Sequence, residues 1–304
     1  MGAFLALGEC MVELSSAGGD LYRRGFAGDT FNTAWYARRL LPADWTVGYG
    51  TCVGEDKASQ EMLDFMAAEG IETSGIRRVP DATVGLYMIS LEENGERSFS
   101  YWRGQSAARR MTEDLKWLDG LLKDRDMIHF SGITLAILPP KSREFFCGAL
   151  ARARQRGAIV AFDTNLRPKL WESREAMKAG LTMGARTADI VLPSFDEETE
   201  LFGDATPEAT AERYRKLGAD LVAVKQGPGA LTVSQREAGL LTVPSVPVTK
   251  VVDTTAAGDS FAAGLLSGLA MGLPLEEAAA QAMGLAARVI QAPGALAPSA
   301  VAPA

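Results

Sequence analysis

The chain has 304 residues, of which 47% are hydrophobic and 23% charged, and it carries a net charge of −7. That length suits one large α/β domain or two small ones and buries a full core without staples, while the acidic balance argues against nucleic-acid and anionic-membrane partners. Cys10, Cys52 and Cys147 are three and far apart, which excludes a disulfide framework or zinc cluster and fits a reducing compartment. The first residues lack the basic and apolar regions of a secretion signal, and no apolar run approaches the ~20 residues of a membrane span, so a cytoplasmic protein is expected.

In chain order, residues 4–7 read as a buried first strand. Residues 31–41 read as a helix, with Asp29 or Thr30 as its cap and Pro42 as its stop. Residues 46–52 read as a strand and 58–69 as a helix closed by Gly70. Residues 84–90 and 98–103 are strand-like, and Glu93-Asn94-Gly95-Glu96 between them is a hairpin turn signal. From Thr112 onward, short apolar runs at 127–130, 159–162, 190–192 and 221–224 alternate with helical stretches. Those stretches have the roughly dozen residues that a parallel crossover needs. The alternation predicts an α/β fold, a doubly wound, mostly parallel sheet with helices on both faces. Segments 12–26 and 74–105 are candidates for a small β lid on that sheet. The tail from Ala292, rich in Ala and Pro, is expected to be loosely held.

One stretch carries chemistry on its own. Val251 and Val252 read as a strand end, and the apolar spacing of Phe261, Leu265, Leu266 and Leu269 reads as a buried helix. The small residues between them let a ligand approach backbone N–H groups closely. The first turn of a helix leaves such groups unpaired and partly positive, which makes it an anion site. Ala256, Ala257 and Gly258 supply those amides, and Asp259 stands among them. A carboxylate there would oppose a bound phosphate, unless it serves to take the proton from a hydroxyl attacking phosphorus. An Asp at the start of an ordinary helix reads equally well from these residues alone. No Gly-x-x-x-x-Gly-Lys-Ser/Thr run occurs and no Gly-x-Gly-x-x-Gly follows the first strand, so neither a P-loop nor a dinucleotide fingerprint is present. Lys225-Gln226-Gly227-Pro228-Gly229-Ala230 takes a strand into a Gly-rich turn, a place where open α/β sheets bind ligands and where a plain tight turn is as common. His129, the only histidine, lies on an apolar strand and reads as a core residue.

Asp253-Thr254-Thr255-Ala256-Ala257-Gly258-Asp259 resembles the C-terminal signature of the ribokinase-like (PfkB) carbohydrate kinases, and Ala27-Gly28-Asp29-Thr30-Phe31-Asn32-Thr33-Ala34 resembles their N-terminal one. Gly8-Glu9-Cys10-Met11-Val12-Glu13-Leu14, Ser100-Tyr101-Trp102-Arg103, the run 131–138 and Asn165-Leu166-Arg167-Pro168-Lys169-Leu170-Trp171 are similar to members that phosphorylate 2-keto-3-deoxygluconate. The resemblance implies one ribokinase-like kinase domain over residues 1–304, acting on a sugar acid with ATP and Mg²⁺, together with a monovalent cation such as K⁺, and forming a homo-oligomer. It implies Asp259 as base, with Ala256, Ala257 and Gly258 as the anion hole. It implies sugar contacts at Gly28, Asp29, Asn32, Tyr87, Tyr101, Arg103, Arg167 and Asp259. Nucleotide contacts are implied at Asn165, Arg167, Ser194, Lys225, Gly227, Gly229 and Ala230, besides the anion hole. Glu197 is implied for hydrated Mg²⁺, with Ser194 standing where many relatives have Asn. Many relatives also have Gly where this chain has Ala256. Arg103 and Arg167 suit a substrate carboxylate, which a guanidinium grips with two parallel bonds, although a surface ion pair is the ordinary use of any one arginine. Two alternatives stay open: a kinase of the same family for another sugar such as fructose, and a sugar-acid sensor without catalysis. The intact Asp259 speaks against the sensor.

Overall fold

The computed structural model describes residues 2–91 and 97–301. β1 (Gly2–Leu7) opens the chain, followed by β2 (Met11–Ser16), β3 (Tyr22–Ala27), helix α1 (Asp29–Leu40) and β4 (Trp45–Gly50). β5 (Cys52–Val53) and β6 (Arg77–Arg78) flank α2 (Lys57–Ala68), and β7 (Gly85–Leu91) and β8 (Arg97–Trp102) come next. β9 (Met127–Ser131), β10 (Ile159–Asp163), β11 (Ile190–Leu192) and β12 (Leu221–Val224) then alternate with helices. Those helices are α3 (Leu115–Leu121), α4 (Gly132–Ile137), α5 (Pro140–Gln155), α6 (Arg174–Arg186), α7 (Phe195–Phe202) and α8 (Pro207–Lys216). β13 (Leu231–Gln235), β14 (Gly239–Val243), α9 (Ala257–Ala270), α10 (Leu275–Val289) and α11 (Pro298–Val301) complete the chain.

Eight strands form the central sheet in the order β14-β13-β12-β11-β10-β9-β1-β4. The pairs from β4 to β12 are parallel, and β13 and β14 add an antiparallel edge. The short apolar runs are strands because helices cover both faces, so every residue of β9, β11 and β12 is buried. Alternation along each strand splits the core in two. Phe4, Ala6, Met127, Ala161 and Ala223 pack with α1, α9 and α10, whereas Leu5, Leu7, Ile128, Phe162 and Val222 pack with α4, α5 and α6. Burying a Phe or Leu side chain contributes about 1.5–3 kcal/mol, so these two layers carry the fold. Among the described residues no helix is long and apolar enough to cross a membrane.

A second sheet has the order β3-β2-β7-β8, with β7 and β8 antiparallel. The turn signal at 93–96 lies outside the described residues. Tyr87 faces Tyr101 across β7 and β8, and their rings stack at 5.9 Å. On the opposite face, Val12 and Phe26 join the main core, with the Phe26 ring 5.4 Å from Phe65 of α2.

Four local expectations change. Neither Asp29 nor Thr30 caps α1; the cap is Gly28, because a Cβ there would lie 2.1 Å from the carbonyl oxygen of Glu9. The strand expected over 46–52 is interrupted at Thr51, so β4 ends at Gly50 and β5 starts at Cys52. The antiparallel edge of β13 and β14 was not expected. The tail is tied down: Ala295, Ala297 and Ala300 are buried, and the Tyr36 hydroxyl donates to Ala295 O (2.8 Å) and accepts from Ala297 N (3.0 Å).

Candidate active site

Because β1 and β9 to β12 run parallel, their carboxyl ends share one edge, where ligands of open α/β sheets bind. Ser131 ends β9 there and caps α4 by accepting from Thr134 N (3.2 Å). Thr134 in turn donates to Leu7 O (2.9 Å), so part of the 131–138 motif fixes strand ends to one another.

The small-residue turn arrives at this edge. Asp253 is buried and accepts from Thr255 N (3.0 Å) and Gly294 N (2.7 Å). Ala256 takes φ +60°, the left-handed region, and begins α9 as its cap. That conformation costs a non-glycine residue about 1–2 kcal/mol. The Ala257 amide closes a turn on Thr254 O (3.2 Å), with the amides of Ala256 and Gly258 on either side of it. Asp259 follows in the first turn of α9.

A chain of contacts surrounds Asp259. Asn32 donates to its Oδ2 (2.8 Å), and Thr33 donates to its backbone carbonyl (3.2 Å), which pins α9 to α1. Asp29, one turn earlier on α1, accepts from Asn165 Nδ2 (2.9 Å). Asn165 sits at φ +29°, a conformation Asn tolerates better than most residues, and its amide donates to Asp163 Oδ1 (3.1 Å). Asp163 ends β10 and accepts from Lys225 Nζ (2.8 Å). Lys225 comes back beside the turn, since a Cβ on Gly258 would lie 3.6 Å from its Nζ. The Asp259 carboxyl is pushed up to about 7, first by burial and then by the Asp29 carboxylate. The Asn32 hydrogen bond opposes the rise, Asp163 adds to it and Lys225 opposes it. A carboxyl that titrates near neutrality, beside the amides of a helix start, can take a proton from a hydroxyl and release it again. His129 is buried on β9 and pushed down to about 4 by that burial, so it stays neutral in the core, as expected.

On the side of β11 and β12, Ser194 bridges to Lys225, and the Gly227 turn takes φ +54°, with Gln226 Nε2 bonded to Ala230 O (2.5 Å). Glu197, in the first turn of α7, accepts from Leu166 N (3.2 Å) and Arg167 (3.1 Å). Burial raises its carboxyl. Glu198, next to it in the same turn, is fully buried on Tyr214 (2.9 Å) and Arg213 (2.8 Å). Among the described residues no group of three or more His, Cys, Asp or Glu is arranged around a metal position. A single carboxylate suits Mg²⁺ that keeps its waters and is shared with phosphates.

On the side of the second sheet, Tyr87 is buried and its hydroxyl donates to Glu13. Tyr101 is half-exposed above it, and Trp102 is exposed on the other parity. Tyr87 clusters with Met11, Ala27 and Ala295, against which Ala256 packs, so this face of the sheet looks toward the small-residue turn. Arg103 is 9% exposed and ion-paired with Glu9, itself 2% exposed. Arg103 and Arg167 therefore have different carboxylate partners, Glu9 and Glu197. Glu9 and Asp163 were not singled out from sequence. Each follows or closes a buried apolar strand, and a carboxylate at that place is the signal that was there to be read.

A helix start that can bind an anion, a buried carboxyl next to it and a mostly parallel sheet define a phosphoryl-transfer class of site. The chain belongs to the pfkB family of carbohydrate kinases, whose family model matches residues 5–301; the α/β fold and the resemblance read from its signatures are borne out. It is 41% identical over 303 residues to 2-dehydro-3-deoxygluconokinase of Escherichia coli (strain K12), with 98% of each chain covered. It is 41% identical over 297 residues to the protein of that name from Dickeya dadantii (strain 3937), with 96% of each covered. Among solved structures, it is similar to the PfkB protein from Polaromonas sp. JS666, with a TM-score of 0.83, 31% identity and 96% of both chains covered. It is also similar to fructokinase with bound ATP from Xylella fastidiosa, with a TM-score of 0.84, 26% identity, and 98% of this chain and 96% of that one covered.

Proposed function

We propose that this chain is a 2-dehydro-3-deoxygluconokinase. It transfers the γ-phosphoryl group of ATP to the terminal hydroxyl of 2-dehydro-3-deoxygluconate (2-keto-3-deoxygluconate) and yields the 6-phosphate. The observation that carries this reading is Asp259, held by Asn32 in the first turn of α9 with its carboxyl near 7. The hydroxyl oxygen forms its bond to the γ-phosphorus as the bond to the bridging oxygen of ADP breaks, and the proton passes to Asp259. The amides of Ala256 and Gly258 stabilise charge on the transferred group, while the Ala257 amide, expected to join them, is bonded to Thr254 O and shapes the turn instead. Lys225, with the backbone of Gly227, Gly229 and Ala230, and with Asn165, Arg167 and Ser194, lines the nucleotide. Mg²⁺ bound to the ATP phosphates neutralises developing charge, and Glu197 would hold its water shell. Gly28, Asp29 and Asn32 meet the sugar hydroxyls. Tyr87, Tyr101 and Arg103 reach it from the second sheet, which acts as a lid, and Arg103 receives the carboxylate. A monovalent cation such as K⁺, a homo-oligomeric state and a cytoplasmic location belong to the same proposal.

Turnover of ATP measured with 2-keto-3-deoxygluconate, its C4 epimer and fructose tests the reading. Preference for either keto-acid supports it. Preference for fructose would make the chain a kinase of a neutral sugar, and tight sugar-acid binding without ADP release would make it a sensor. The same assay run in K⁺ and in tetramethylammonium salts tests the cation.

A further inference from the structure

Asp163 has no part in the chemistry just described, yet it is 4% exposed and bonded on both oxygens. Its partner Lys225 is a point charge on a flexible stem, with its ammonium next to Gly258 and hence one residue from Asp259. Asp259 Oδ2 already receives Asn32, which leaves Oδ1 for a substrate hydroxyl. An ammonium free to swing would pair with that carboxylate. It would occupy the oxygen that has to take the proton and would favour the charged form, weakening it as a base. The molecule prevents this with a fixed anchor. Asp163 Oδ1 is held by the Asn165 amide (3.1 Å), and Asn165 is held in turn by Asp29 (2.9 Å), so Asp163 cannot follow the lysine.

We propose that Asp163 is a positioning residue that holds the Lys225 ammonium off Asp259 and aims it at the anion hole at the start of α9. The proposal rests on Asp259 acting as the base. The titratable groups around Asp259 are Asp29 and Tyr36 of α1, Asp163 at the end of β10 and Lys225 at the end of β12. Phosphates entering the anion hole give the ammonium a second partner, and Asp163 keeps it between the two.

The test is the acid limb of kcat/KM in Asp163→Asn, Lys225→Met and the double variant, with ATP and the best sugar substrate. In Asp163→Asn the freed lysine turns to Asp259, so kcat falls about 10- to 100-fold and the limb moves to lower pH by about one unit or more. In the Lys225→Met background the same Asn substitution moves the limb by less than half as much, because the lysine that transmits the effect is gone. An unmoved limb in Asp163→Asn, or the same displacement in both backgrounds, would overturn the proposal, since Asp163 would then act through its own charge or through packing alone. A crystal structure of the wild-type protein with a non-hydrolysable ATP analogue tests the same point without any variant. Lys225 on Asp163 and the phosphates supports the proposal, and Lys225 on Asp259 sinks it. Substantial turnover by Asp259→Asn would remove the underlying reading instead, so the two failures are distinguishable.

Discussion

With Asp259 as the proposed base, activity and stability should both follow the titration of its carboxyl. Its carboxyl titrates at about 7 in the folded protein, and a base must be unprotonated to act, so kcat/KM should rise through an acid limb centred near that value. Asp259→Asn should lower kcat about 10²–10⁴-fold while ATP still binds by calorimetry; retention of a tenth of the wild-type rate would exclude it as the base. The sign for stability is opposite to that of a salt-bridged Asp. The unfolded carboxyl releases its proton near 3.8 and the folded one near 7. Folding is therefore favoured by the bound proton below about 4, and this contribution is lost as pH rises through about 7. Asn carries no such loss, so Asp259→Asn should melt a few degrees above the wild type at pH 8 and lose that advantage near pH 4. A melting curve at each pH decides it. Ala256, at φ +60° just before Asp259, is a strained position in the same turn, and strained backbone clusters at functional sites.

At the scale of elements, α1 does the joining. Its apolar residues Phe31, Ala34 and Ala37 are buried against the sheet, while Asn32 and Thr33 bind α9 and Tyr36 binds the tail. Burial pushes the Tyr36 hydroxyl up to about 12, so it stays a donor at any working pH. Tyr36→Phe leaves Ala295 O and Ala297 N without this partner, at about 1–3 kcal/mol. The melting temperature should fall a few degrees, and limited proteolysis after residue 290 should quicken. An unchanged cleavage rate would mean that packing of Ala295, Ala297 and Ala300 holds the tail alone. The buried parallel strands were legible in sequence because each is a short apolar run between helical stretches. The tail was not, because nothing in a run of Ala and Pro says that a tyrosine 259 residues away will bind it. The α1 cap failed for a related reason: Glu9 O, distant in sequence, leaves no room for a side chain at 28. At the site, small residues and Asp259 announced themselves, whereas Asp163 and Glu9 gain meaning only from partners brought by the fold, Lys225 and Arg103.

At the scale of the whole molecule, the passages between the two sheets converge on Glu9, which lies between β1 and β2. Its carbonyl faces Gly28, between β3 and α1, and its Oε1 lies 2.8 Å from where a Cβ on Gly85, at the start of β7, would be. Its carboxylate holds Arg103, just after β8. Burial raises the Glu9 carboxyl, and Arg103 is the main influence opposing that rise. The pair therefore ties the two sheets together where they meet, and Arg103 faces two demands, Glu9 and the proposed substrate carboxylate. A guanidinium has five donors in a fixed fork, enough to serve both. Arg103→Ala should consequently do two separable things. Removing one partner of a buried pair typically costs about 3–5 kcal/mol, so the melting temperature should fall for the free protein, and Glu9→Gln in the same chain should recover part of it by removing the stranded charge. Hydrogen bonds to charged groups contribute about 1.5–3 kcal/mol each, so kcat/KM for the keto-acid should fall about 10- to 200-fold, against a much smaller loss for fructose. Arg103→Lys should recover little of it, since a point charge cannot make the two-pronged contact. ATP affinity without sugar should hardly move. Glu9→Gln/Arg103→Ala keeps the selectivity defect if Arg103 binds the carboxylate. Equal fractional losses on acid and neutral sugar in both variants would leave Arg103 as the structural partner of Glu9 only.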